Sequence, residues 1–258
     1  MGYVADLRMS KSYIVCHAGK EGVQMKKKIS NSQMRDSSSK LIFSDPILCA
    51  QFLRGYVDIP LLKDVQPEDI EDVTGRYLHM FTAERNSDSV SRVRTRINET
   101  PFFIVSLVEH KSNVDYNVVM QVFSYMAFIW EDYEKEMEKQ HKGISKTKDF
   151  RYPPILPIVF YDGVENWTAS NKLHDRILFC DVFSQYIPDY QCMLIKLLNY
   201  TNAELMEKKD ELSVIMMVDR LRNASDYKNL IREVSSDYLH EVTAQSPEYL
   251  LEIMAHIV

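Results

Sequence analysis

Glu109 and Lys111 stand two residues apart, closing the apolar run Phe102-Phe103-Ile104-Val105-Ser106-Leu107-Val108. A run this long, rich in β-branched and aromatic residues and preceded by Pro101, reads as a buried strand. Side chains alternate along a strand, so Glu109 and Lys111 share a face and His110 takes the other. A carboxylate at a strand end can hold a divalent cation. An ammonium beside it can orient an attacking water or stabilise charge on a phosphate oxygen. A hard cation wants a second carboxylate, and Asp88 offers one at the head of the segment Asp88-Ser89-Val90-Ser91-Arg92-Val93-Arg94-Thr95-Arg96-Ile97. Asn98 and Glu99 supply a turn, which makes the two segments a hairpin. Downstream, Gln121 and Tyr125 are four residues apart and share a helical face; as an aromatic on a helix, Tyr125 reads first as core.

These residues need elements to hold them. From Asn117 to about Gln140 the apolar positions Val118, Val122, Met126, Ile129, Tyr133 and Met137 recur at helical spacing. Ile155-Leu156-Pro157-Ile158-Val159-Phe160-Tyr161 is a further strand, closed by an Asp162-Gly163 turn. Upstream, Asp45 before Pro46 marks a helix start, with Leu48, Phe52, Leu53 and Tyr56 continuing the pattern. Pro67 to Ile70 reads as a loop or short acidic turn, and Tyr77 to Phe81 as a short strand before the hairpin. The order helix, three strands, helix, strand then gives way to one more strand within Gln191 to Leu198. Helices follow near Ala203–Leu221, Ser225–Val234 and Pro247–Val258, the last with Ser246 as its cap. Residues 1–35 lack periodicity and read as a tail, in which Met9 or Met25 could be the start. The domain proper is expected over 36–200, and a helical segment over 201–258 whose apolar end at Val258 looks cut short.

Of the 258 residues 45 % are hydrophobic and 26 % charged, which describes an ordinary globular protein. The formal net charge of −6 advertises no general attraction to nucleic acid, so any such partner must meet a local basic patch. Arg92, Arg94 and Arg96 alternate along one strand. They suit a phosphate clamp or an outer hairpin face equally well. Lys146, Lys148 and Arg151 lie in a basic loop around Gly143, a second candidate contact or a solvated linker. Cys16, Cys49, Cys180 and Cys192 show no zinc or redox spacing, and the expected setting is a reduced cytoplasm. No apolar run approaches the length of a bilayer span. Gly-rich phosphate loops and Gly-x-Ser-x-Gly are both absent, which removes support for nucleotide-driven and serine-hydrolase chemistry.

Asp88, then Glu109-x-Lys111, then Gln121 and Tyr125 on the next helix, resembles the PD-(D/E)XK nuclease pattern. More specifically, three stretches are similar to the recombination-promoting nuclease/putative transposase family within that superfamily. They are Asp36-x-x-x-Lys40-x-x-Phe43-Ser44-Asp45-Pro46 with Phe52-Leu53; Val108-Glu109-His110-Lys111-Ser112 with Tyr125-Met126 and Ile129-Trp130-Glu131; and Leu156-Pro157-Ile158-Val159-Phe160-Tyr161-Asp162-Gly163 with Trp167. Many members carry Gln where Lys111 stands. The resemblance implies an α/β (α+β) fold, α-β-β-β-α-β with a mixed central sheet, followed by a mainly helical C-terminal part. It also implies a metal-dependent DNA endonuclease tied to recombination or mobile elements, with Mg²⁺, or alternatively Mn²⁺ or Ca²⁺, as cofactor and DNA as partner. In that reading Asp88, Glu109 and the His110 carbonyl bind the metal, Lys111 and Gln121 complete the catalytic set, and no membrane is involved. A homo-oligomer is compatible with it. The competing class is an inactive nucleic-acid-binding or interaction protein that keeps the nuclease fold.

Overall fold

The computed structural model describes residues 41–77, 89–94, 101–109, 114–244 and 246–257. Its centre is a five-stranded sheet in the order β1-β2-β3-β4-β5, formed by Ile70–Asp72, Ser89–Arg94, Pro101–Glu109, Ile155–Tyr161 and Met193–Lys196. The first two pairings are antiparallel and the last two parallel, so the sheet is mixed and β3 is where the direction changes. Both edge strands are short, which limits the unpaired backbone offered to other chains.

Residues 41–44 are helical and lead into α1, Pro46–Tyr56. The Asp45 side chain accepts from the Ile47 and Leu48 N–H groups at 2.9 and 3.0 Å, filling two of the donors that a first turn leaves unpaired, and Pro46 lacks the third. Residues Leu48 to Leu53 are buried, and Phe43, Phe52 and Phe160 meet edge to face under the sheet. That core also takes Val93, Phe102, Ile158 and Ile195 from the strands. It continues into the C-terminal helices through Leu205, Leu212, Met216, Leu230, Val242 and Leu250.

The opposite face of the sheet packs on the long helix expected from the 3.6-residue repeat. After α2 (Thr74–Tyr77), that helix, α3, spans Val118–Gln140. It buries Val118, Val119, Val122, Tyr125, Met126 and Ile129 against Val90, Phe103 and Val159. By area, each fully buried side chain of this kind contributes about 1.5–3 kcal/mol as an upper estimate. Tyr125 is thus core, as its type and position on a helix suggest.

Several expectations need correction. Tyr77 ends a helical turn rather than opening a strand; residues 78–81, the remainder of that expected strand, lie outside the described residues. The third strand of the antiparallel set is Ile70–Asp72, immediately after a single 3-10 turn at Pro67–Asp69. The reason it was illegible is physical: Ile-Glu-Asp carries no alternation and becomes a strand only by pairing with Val93, Arg92 and Ser91. The crossover from β4 to β5 contains α4, Cys180–Phe183, and flanking 3-10 turns where the sequence suggested no element. The C-terminal helices are α5 (Asn202–Met206), α6 (Glu211–Asp219), α7 (Ala224–Glu233), α8 (Ser236–Thr243) and α9 (Glu248–Ile257). Asp210 splits the single long helix expected there by capping α6 from Ser213 N–H at 2.8 Å.

Candidate active site

Glu109 is the last residue of β3 and is placed through its backbone, in register with Tyr161 at the end of β4. Tyr161 in turn pairs with Lys196 at the end of β5. Three strands therefore finish in one row, Glu109, Tyr161 and Lys196, with about 4.8 Å between neighbouring strands. On the other side, β2 begins at Ser89, opposite Ser106. Asp88, Arg96, His110 and Lys111 lie outside the described residues.

The start of α3 comes to the same end of the sheet. Asp115 shapes this approach: its Oδ1 accepts from the Asn117 N–H at 2.7 Å, and its Oδ2 accepts from the Gln121 side-chain amide. Gln121 is thereby fixed in the first turn of the helix by a carboxylate that sequence reading had passed over. An Asp three residues before a helix start, two before its cap, is a recognisable turn signal. Tyr116 reaches Thr168 across the gap to the β4–β5 crossover, at 2.7 Å.

The row is stiffened from beneath. Tyr161 is buried, donates its hydroxyl to the Glu165 carbonyl at 2.8 Å and meets Trp167 edge to face with 5.0 Å between centroids. Any Cβ added at Gly163 would collide with the Tyr161 ring, so the Tyr-Asp-Gly sequence is a packing requirement. Asp162, expected as a simple turn residue, is buried. Its carbonyl accepts from Arg222 at 2.5 Å and its carboxylate lies 3.9 Å from the same guanidinium. Arg222 sits between α6 and α7, so the C-terminal helices brace the strand end.

The basic residues are disposed differently. Arg92 bonds Glu71 at 2.7 Å and lies 3.8 Å from Glu136 on α3, on the face where Arg76 also holds Asp132 and Glu136. Arg94 pairs with Pro101, and the loop bearing Lys146, Lys148 and Arg151 precedes β4, whose Ile155 pairs with Phe103. Arg94 and that loop are thus at the start of β3 and Glu109 at its end, a strand length of roughly 26 Å for nine residues. Lys146, Lys148 and Arg151 are exposed. Among the described residues no group of three His, Cys, Asp or Glu side chains is placed to hold a metal.

A mixed sheet whose antiparallel β1-β2-β3 hairpins run into a parallel β4 through one long helix, with further helices on the other face, defines an α+β protein with a nuclease-like core. The family described as "Putative transposase, YhgA-like" matches residues 33–249. The chain belongs to that family, which ties it to mobile elements and to interaction with DNA. Neither a curated protein nor a solved structure matches it. Among the described residues no helix is long and apolar enough to cross a membrane.

Proposed function

We propose that the protein is a metal-dependent DNA endonuclease acting in recombination or in the movement of DNA elements. The observation that carries this reading is the convergence at one sheet end of Glu109, closing the strand where the sheet changes direction, and Gln121, held by Asp115 in the first turn of α3. The donor chemistry fits a hard divalent cation: carboxylate and carbonyl oxygens, with no thiol in the set.

Asp88 and Glu109 supply two negative charges for such a cation, and the His110 carbonyl a third oxygen. Held there, a divalent cation would supply an acidified water and neutralise charge on the scissile phosphate. Lys111 would position an attacking water or take its proton. With the Gln121 N–H engaged by Asp115, the Gln121 carbonyl oxygen is the end that would be offered to Lys111. Lys196, in the same strand-end row, adds positive charge where a phosphate would enter.

Incubating the purified protein with supercoiled plasmid and Mg²⁺, Mn²⁺ or Ca²⁺, beside EDTA controls, tests the reading. Metal-dependent nicking or linearisation that disappears in Glu109→Gln, with the thermal melt preserved, is the expected result. DNA binding without cleavage under every metal would overturn it in favour of an inactive binding protein.

A further inference from the structure

Between α3 and β4 the chain interleaves cations with aromatic rings: Lys142, Lys146, Lys148, Phe150, Arg151 and Tyr152. A solvated linker would be loosely held, whereas this loop is tied at several points. Gly143, at φ 85°, turns the chain into the 3-10 turn Ile144–Lys146. Arg151 donates from Nη1 to the Lys148 and Phe150 carbonyls, each at 2.8 Å, and the Trp130 indole N–H donates to the Pro153 carbonyl at 2.9 Å. Tyr152 is the exposed member of a cluster of four rings. It meets Phe150 edge to face with centroids 5.2 Å apart and lies 6.3 Å from Trp130, while Phe150 lies 6.1 Å from Tyr133. Its hydroxyl donates to Glu134 at 2.5 Å, so the ring is held in place while 49 % of the residue stays exposed.

We infer that this loop is a binding site for single-stranded DNA, in which an unpaired base stacks on Tyr152 and the neighbouring phosphates meet Lys146, Lys148 and Arg151. Stacking on a side chain needs a base with a free face, which a paired base inside a duplex lacks. Cations alone would serve either form of DNA, so the ring is what selects the single strand.

Charge fits this occupant. Within 142–151 four cations face one carboxylate, Asp149. The two α3 carboxylates bonded to the loop are already engaged, Glu138 by Ser145 and Gly143 and Glu134 by the Tyr152 hydroxyl, and with both counted the cations are still in excess. Lys146, Lys148 and Arg151 are exposed. The loop leads into β4 at the opposite end of β3 from Glu109, so DNA with an unpaired segment beside a duplex would reach both places. The inference takes from the proposed function only DNA as the partner, and binding measured in EDTA tests it apart from cleavage.

The experiment is fluorescence anisotropy of the full chain in EDTA, with a labelled oligothymidylate and a mixed-sequence duplex of equal length at one salt concentration. The wild type is expected to bind both. Tyr152→Leu keeps the apolar bulk and removes the aromatic face; it is expected to weaken single-strand binding roughly 10-fold or more, the loss of one stacked base, and to leave duplex binding unchanged. Tyr152→Phe keeps the ring and is expected to retain most of the single-strand affinity. An oligothymidylate carrying 5-iodouracil is expected to photocrosslink to the wild type within residues 150–152. Single-strand binding unchanged in Tyr152→Leu overturns the inference, as does an equal loss for both forms of DNA, because the ring would then only shape a phosphate-binding loop. Absence of single-strand binding by the wild type, crosslinks confined to other segments, or tighter binding of an oligouridylate RNA also overturns it.

Discussion

Single residues at the strand end are held more tightly than their types suggest. Tyr161 has its ring against Trp167, its hydroxyl on the Glu165 carbonyl and no space left beside Gly163. Gly163→Ala is expected to force the ring out and destabilise the fold by roughly 1–3 kcal/mol. A lowered thermal midpoint together with reduced plasmid cleavage would bear this out, whereas an unchanged midpoint would show that the ring yields freely. The cysteines make a second residue-scale case. Burial pushes the thiols of Cys49 and Cys192 up to about 12, so neither offers a thiolate near neutral pH. A colorimetric thiol reagent at mildly alkaline pH should leave both unlabelled in the native protein and label them in denaturant. Rapid native labelling of either would contradict their burial.

At the scale of elements, α1 depends on its cap. Asp45 fills two N–H groups and also accepts from Tyr249 of α9 at 2.8 Å, joining the two ends of the described chain. Asp45→Ala should cost about 1–2 kcal/mol for the cap alone, read as a shift of the denaturant midpoint. The far end of α3 is finished by Glu138, which accepts from the Ser145 hydroxyl at 2.6 Å and from the Gly143 and Ser145 N–H groups at 2.7 and 2.9 Å. The Ser145 hydroxyl first, then those backbone donors, lower its carboxyl to about 2. A folded-state value below the unfolded one means the tie is fully present above the ordinary glutamate midpoint of about 4.3 and is lost only as pH falls through the lowered value. The Gly143 and Ser145 amide resonances should therefore stay in place as pH drops through about 4.3. Movement with an ordinary glutamate midpoint would show that the loop is not clamped in solution.

For the whole molecule, the question is how a chain of net charge −6 holds DNA. Arg92 is committed to Glu71 and Glu136, so its replacement should lower stability and leave the salt dependence of binding almost unchanged. Lys146, Lys148 and Arg151 are exposed on a loop that Glu138 fixes, at the opposite end of β3 from Glu109. A duplex lying along the strand direction would touch both ends. Replacing the three with Gln should weaken binding about equally for unrelated duplexes and flatten the salt slope by up to ~3 units, near one per lost phosphate contact. An unchanged slope, measured by fluorescence anisotropy across a salt series, would place the DNA path elsewhere.

Strong local patterns were legible in the residues themselves. The apolar β-branched runs at Pro101–Glu109 and Ile155–Tyr161, the 3.6-residue repeat of Val118–Gln140 and the Asp45-Pro46 start all became the elements they announced, because burial and capping act within a few residues. The family resemblance also followed from short stretches. What the sequence could not carry was pairing between distant segments. Ile70–Asp72 is a strand only because β2 lies beside it. Arg92 is an ion-pair residue because the pairing of β1 with β2 sets Glu71 beside it and the turns of α3 add Glu136. Lys196 shares a row with Glu109 only through two successive parallel registers, and the basic loop sits at the other end of β3 because α3 carries the chain back along the sheet. Side-chain type and local spacing are written residue by residue, whereas register and the direction of a crossover arise only when the whole core is packed.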